Sequence, residues 1–230
     1  MKKSIIKGIT SVATSIILLA ATMPLDGIAS HPSSVTAATV SATTKNKTSS
    51  KTLNVTRKTQ DNEFWCNVAC AQMMLDYYKV TATQDEIYKK GKKIDKITEE
   101  DYEDGFLYSG ETRDAIKSLL KGSSFISTAT GCTFSDIKKK IDGGKPVIIN
   151  ARYTNEKTKK YKDHAVICYG YESDTKSKTY KLYVRDPGDD NITYLKASDT
   201  NKNSFTVTLK NKYSVSIRAI IYAKAAYKHK

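Results

Sequence analysis

Cys66 is the residue of this sequence best placed to do chemistry. It lies in the run Gln60-Asp61-Asn62-Glu63-Phe64-Trp65-Cys66-Asn67-Val68-Ala69-Cys70-Ala71-Gln72-Met73-Met74-Leu75-Asp76-Tyr77-Tyr78. From the cysteine onward, apolar positions recur at helical spacing, with Ala69, Ala71 and Met73-Met74 packing inward. Asp61 and Asn62 are the available N-terminal caps, and Glu63 adds negative charge to the entry turn, so Cys66 is expected in the first turn of a buried helix. Unpaired backbone N–H groups and the positive end of the helix dipole favour thiolate over thiol there, and thiolate is the nucleophilic form. Gln60 stands six residues earlier. Across a tight loop its side-chain amide can return to the cysteine and donate to the oxyanion formed when a thiolate attacks a carbonyl. Trp65, the only tryptophan, is read either as a wall of this substrate-binding site or as core packing.

A thiolate needs a base. Of the three histidines, His31 falls in an N-terminal leader and His229 in a basic tail. His164 alone falls in the folded region, at the start of the strand-like run His164–Tyr171. The following strand-like run, from Tyr180, ends in Val184-Arg185-Asp186-Pro187-Gly188. One strand of a hairpin begins where its neighbour ends, so Asp186 can accept from the His164 imidazole, fix its tautomer and favour its charged form. Asp189 and Asp190 compete for this role, but they fall in the turn that follows.

These residues need two kinds of scaffold. Helical patterning continues from Thr83-Gln84-Asp85-Glu86 and again over residues 113–121, where Ala115, Ile116, Leu119 and Leu120 share a face. Residues 92–108 between them are acidic and turn-rich and read as a surface loop bordering a cleft. Ser135 is expected to cap a short helix over 136–142, ended by Gly143-Gly144. The period then changes. Residues 145–153 form a short apolar run with β-branched residues, the mark of a buried strand, and further strands are expected over 204–209 and 214–223. Helices first and antiparallel strands afterwards give an α+β domain.

The ends and the charge bound the setting. Lys2, Lys3 and Lys7 precede an apolar stretch around Ile16–Ala21 that is too short to span a bilayer, and small residues follow, which is the pattern of a cleavable secretory signal over residues 1–30. Residues 31–55, rich in Ser, Thr, Ala and Lys, read as a flexible leader or linker. Residues 56–230 are the size of one ordinary domain. The formal charge of +14 falls to +12 once the signal, with three lysines and Asp26, is removed. That excess favours anionic surroundings, such as cell-wall polymers for a secreted or wall-associated protein. The lysines form no aromatic-interleaved stripe, so no specific nucleic-acid partner is expected. No other segment is apolar enough to be a transmembrane span. Four cysteines, at 66, 70, 132 and 168, are too few for a disulfide scaffold. Cys70 reads as a buried small residue or as the disulfide partner of Cys132 or Cys168. Glycine-rich phosphate loops, zinc-ligand spacings and nucleotide fingerprints are absent from the sequence, so no metal or cofactor is expected.

Gln60 followed after five residues by Cys66 at a helix start, then His164-Ala165-Val166, then Asp186 at the next strand's end, resembles the papain-like cysteine peptidases in catalytic order. Trp65-Cys66, Gly144-Lys145-Pro146-Val147 and Val184-Arg185-Asp186-Pro187 look most like a compact bacterial branch related to the bacteriocin-leader-processing peptidase domain. The resemblance covers about residues 57–190. It implies a papain-like fold: a helical subdomain carrying the cysteine, packed on an antiparallel β-sheet carrying the histidine, with a cleft between. It also implies that Cys66 attacks, His164 shuttles the proton, Asp186 orients it and Gln60 stabilises the oxyanion. Asn67 departs from the family, which often has an aromatic or small residue there, and this bears on the shape of the substrate pocket. The implied activity is hydrolysis of peptide bonds in a peptide or protein substrate outside the cell. The same site also suits hydrolysis of peptidoglycan stem peptides or deamidation of glutamine. A non-catalytic, wall-associated adhesion module is the reading outside enzymes.

Overall fold

A computed structural model describes residues 48–95, 106–121, 126–208 and 212–225. The expected signal segment, the leader up to residue 47, most of the acidic loop and the basic tail with His229 lie outside them. Among the described residues the chain runs β1 (Thr48–Thr52), α1 (Cys66–Tyr77), α2 (Gln84–Asp95), α3 (Ser109–Leu119), β2 (Ile126–Thr130) and α4 (Phe134–Asp142). It continues as β3 (Val147–Asn155), β4 (Tyr161–Asp174), β5 (Thr179–Arg185), β6 (Tyr194–Ala197), β7 (Ser204–Thr208) and β8 (Lys212–Ala223). The domain is α+β, as the order of sequence patterns predicts. No described helix is long and apolar enough to cross a membrane.

The antiparallel ladder β4–β3–β8–β7–β6–β5 closes on itself, because β5 pairs with β4 as well as with β6. Closure removes the open edges that a sheet would otherwise expose. Alternate residues of β3, β4 and β8 then face two different cores. Val147, Ile149, Val166 and Cys168 point into the barrel, which α4 covers with Phe134, Ile137 and Ile141. Ile148, Ala165, Ile167 and Ile221 point outward and pack against the helices. Two-sided burial is why 147–149 and 165–168 read as unbroken apolar runs. Helix α1 is buried over nearly its whole girth from Val68 to Leu75, as expected of a central helix.

Local signals and structure part company in several places. Residues 48–55 belong to the fold and not to a flexible leader: β1 pairs with residues 170–174 of β4, Leu53 N–H donates to the Tyr169 carbonyl at 2.7 Å, and Val55 is buried. Backbone pairing on β4 beyond the end of β3, not side-chain character, holds this Ser/Thr-rich segment. A Cβ at Gly170 would lie 2.7 Å from the Lys51 carbonyl oxygen, so the close approach of β1 needs a glycine. Helix α2 continues to Asp95, through residues expected to be loop. Thr83 and Glu86 cap its start reciprocally, with Glu86 N–H donating to Thr83 Oγ1 at 3.2 Å and Thr83 N–H to Glu86 Oε2 at 2.8 Å. Thr133, not Ser135, caps α4 in the same way with Asp136. Strands β1, β2 and β6 have no counterpart in the sequence reading, because short, polar, one-sided strands carry little periodicity.

Candidate active site

Cys66 is the first residue of α1, half-buried and carrying a free thiol. The expected caps do not form. Trp65 holds the N-cap position with no side-chain hydrogen bond, while Asn62 Oδ1 accepts from Phe64 N–H at 3.1 Å one turn earlier. The first turn of α1 therefore starts without a capping side chain, and uncapped N–H groups suit developing negative charge.

His164 lies inside β4, three residues after its start and not at its beginning. The barrel register sets Ala151 opposite it, and Tyr153 presents its ring edge-on to the imidazole at 5.8 Å between centroids. Asp186 directly follows β5 and is fully buried. Its Oδ1 accepts from His164 Nε2 at 2.8 Å, from Gly188 N–H at 2.8 Å and from Asp189 N–H at 3.0 Å. The hairpin thus joins the two residues that its geometry was expected to join. With Nε2 on Asp186, Nδ1 is the ring nitrogen left for Cys66, which lines the same cleft. Burial alone would lower the pKa of this imidazole, but its bonds to Asp186 and Cys66 outweigh burial and push it up to about 9. The ring is therefore charged at neutral pH.

Gln60 lines the same cleft as Cys66, His164 and Asp186. Its amide does not reach toward the cysteine in the way the loop spacing predicts: Nε2 donates to the carbonyls of Asn62 at 2.9 Å and Glu63 at 2.5 Å, within its own loop. Its Oε1 is buried without a partner, beside Gly188. The loop is fixed from both sides. Gln60 N–H donates to the Pro187 carbonyl at 3.1 Å, and the buried Gln84 side chain holds Thr59 and Asp61 through bonds of 2.7 and 3.0 Å.

Trp65 is not a cleft wall. It stacks on Tyr88 with centroids 4.8 Å apart and packs against the helical core. Phe64 lines the cleft in its place, joined by Phe106 and Tyr108 through ring contacts of 5.0 and 6.4 Å. Of the two readings of Cys70, the structure shows the buried small residue and not the disulfide, since all four cysteines are free. Burial, reinforced by nearby Cys66 and Asp186, holds the Cys70 thiol well above its ordinary pKa, and burial pushes Cys168 to about 12. Neither has the accessible, electropositive setting of a reactive thiol. Among the described residues no group of His, Cys, Asp and Glu could hold a metal ion.

Two further residues shape the site, of which Arg57 carries no sequence signal. Arg57 clamps the turn after Asp186: Nε donates to the Asp186 carbonyl at 2.6 Å, one terminal nitrogen to the Pro187 carbonyl at 3.4 Å, and the other pairs with Asp190 at 2.7 Å. Those partners lie about 130 residues away in the chain, beyond the reach of any local pattern. Asn67 donates from Nδ2 to the Leu107 carbonyl at 2.9 Å and ties the start of α1 to the aromatic wall. The departure from the resembled family at this position thus shapes the pocket directly.

The cleft holds about 860 Å³ between the start of α1 and the barrel. A crystal structure described as that of a C39-like peptidase from Bacillus anthracis matches over 78% of this chain and 100% of its own, at 17% identity and a TM-score of 0.50, a likeness of fold. No curated protein matches the chain. The Peptidase_C39 like family matches residues 52–216, from the end of β1 into β8, and with this span covering most of the sequence the chain belongs to that family.

Proposed function

We propose that the protein is a secreted cysteine peptidase in which Cys66, His164 and Asp186 form a catalytic triad. The observation that carries this reading is the His164 imidazole, which lines the same cleft as Cys66 and is held by the buried Asp186 carboxylate at 2.8 Å. A thiolate–imidazolium pair is the working form of such a site. Cys66 Sγ attacks the substrate carbonyl carbon, and the oxyanion forms near the uncapped N–H groups of the first turn of α1. His164 passes its proton to the leaving amine as the C–N bond breaks. It then takes a proton from the water that cleaves the thioester, restoring the thiolate and the charged ring. Asp186 keeps the imidazole in register throughout. Gln60 is the second oxyanion donor, and its turn into that role exchanges one of its two loop carbonyls for the oxyanion.

A cysteine-directed peptidyl electrophile tests the assignment. Labelling should map to Cys66 alone and be lost in His164→Ala. Equal labelling of Cys66 and the buried Cys70, Cys132 and Cys168, or undiminished labelling without His164, would overturn the triad.

A further inference from the structure

One irregularity of the barrel lies beside the cleft. On β8, Ala219 pairs with Asn150 and Ile217 with Ala151, so Arg218 is an extra residue opposite no partner. The inward positions show the same slip: Val215 and Ile217 face the barrel before it, Ile220 and Tyr222 after it. Arg218 and Ala219 therefore share the outer side, with Asn150 and Asp163, and Arg218 lines the cleft. Bulges beside active sites commonly re-aim a side chain in this way.

The charges lining the cleft divide unevenly. On the barrel side Asp163 is held by both arms of Arg152 at 2.8 and 2.7 Å, and Asp189 accepts from the backbone and side chain of Asn191 at 2.8 and 2.9 Å. Both carboxylates are occupied. Lys162 and Arg218 are exposed and make no ion pair among the described residues. Each influences one of those carboxylates only at longer range, Arg218 on Asp163 and Lys162 on Asp189. The turn leading to Lys162 adds Lys159 and Lys160, both exposed. Across the cleft stand the apolar rings of Phe64 and Phe106 and the exposed Tyr108, with the exposed Glu63 carboxylate beside Phe64 on that far wall.

Building on the peptidase chemistry proposed above, we propose that Arg218, aided by Lys162, selects peptide substrates that place a carboxylate against the barrel side of the cleft. The guanidinium fork matches a carboxylate in two-point geometry, and the lysines enrich such peptides near the mouth. The carboxylate belongs to an Asp or Glu side chain or to a peptide C-terminus; both offer the same two oxygens.

The experiment uses two pairs of hexapeptide pools, glutamate against glutamine at each position, and free C-terminal acid against amide. Turnover is read with the wild-type protein and retention with Cys66→Ala, which binds without cleaving. Either the glutamate arm or the free-acid arm should exceed its neutral partner by about fivefold, the scale of one exposed ion pair. Arg218→Ala should bring that ratio toward one and Arg218→Glu should invert it. Lys89→Ala, a charge loss remote from the cleft on α2, should leave the ratio as it was. If no pool is cleaved but Cys66→Ala retains the acidic pool in an Arg218-dependent way, the recognition stands and the peptidase chemistry falls. Equal retention of acidic and neutral pools, no retention at all, or an acidic preference that survives Arg218→Glu, overturns it.

Discussion

Asp186→Asn probes the centre of the site with the smallest change in shape. In the native protein His164 is pushed from its ordinary 6.5 to about 9, although burial works against the charged ring. That corresponds to roughly 3 kcal/mol of preference for the imidazolium. The groups facing the ring are Asp186, Cys66 and the edge of Tyr153, and only Asp186 brings a buried carboxylate into contact with it. Asparagine keeps an oxygen for the Gly188 and Asp189 N–H groups but removes the charge. Burial then competes with Cys66 alone, and the His164 pKa should fall to 6.5 or below. The sign for stability follows. A group whose pKa is raised on folding stabilises fully below its unfolded value and loses that contribution as pH rises through the folded one. The native protein should therefore lose about 3 kcal/mol from this group between pH 6.5 and pH 9, and the variant should lose almost none over that window. Nuclear magnetic resonance titration of the His164 ring gives the pKa, and urea unfolding at pH 6 and pH 9.5 gives the stability difference. A His164 pKa that stays near 9 in Asp186→Asn would refute the reasoning, because the charge would then come from elsewhere.

Three further outcomes are expected. Gln60→Ala should lower kcat by about 10²- to 10³-fold with KM little changed, as for loss of one oxyanion donor; steady-state kinetics on a cleaved peptide read it, and a loss under threefold removes Gln60 from that role. Arg57→Ala should cost about 2–3 kcal/mol in urea unfolding, because charged hydrogen bonds to two carbonyls are lost, whereas Asp190→Ala should cost under about 1 kcal/mol since that carboxylate is largely exposed. Gly170→Ala should cost about 1–3 kcal/mol through overpacking against the Lys51 carbonyl, and hydrogen exchange should quicken in residues 48–55 before it does in the barrel strands.

The cysteine, its helix, the histidine and the aspartate were legible in the sequence because each rests on a short-range regularity. Val68 to Leu75 is apolar enough to demand burial, so Cys66 had to start a helix. His164 was the only histidine between the leader and the tail, and a hairpin joins the start of one strand to the end of the next. The α+β order was legible for the same reason, from a change of hydrophobic period at residue 145.

Where local signals were weak or equal, tertiary contacts decided. Trp65 and Phe64 are adjacent aromatic residues, and only the packing of Tyr88 determines which of them turns to the core and which to the cleft. Residues 48–52 carry linker composition, yet the backbone of β4 beyond the end of β3 holds them as a strand. Gln60 sits where spacing placed it, but its amide answers to the carbonyls of Asn62 and Glu63. Arg57 and Arg218 owe their positions to partners far along the chain, the turn after Asp186 and the bulge opposite Asn150. Hydrophobic period is written in neighbouring residues, and with it the presence and order of the main elements. Which side chain enters a cleft depends on what closes over its alternatives, and in this protein that closing is done by the barrel.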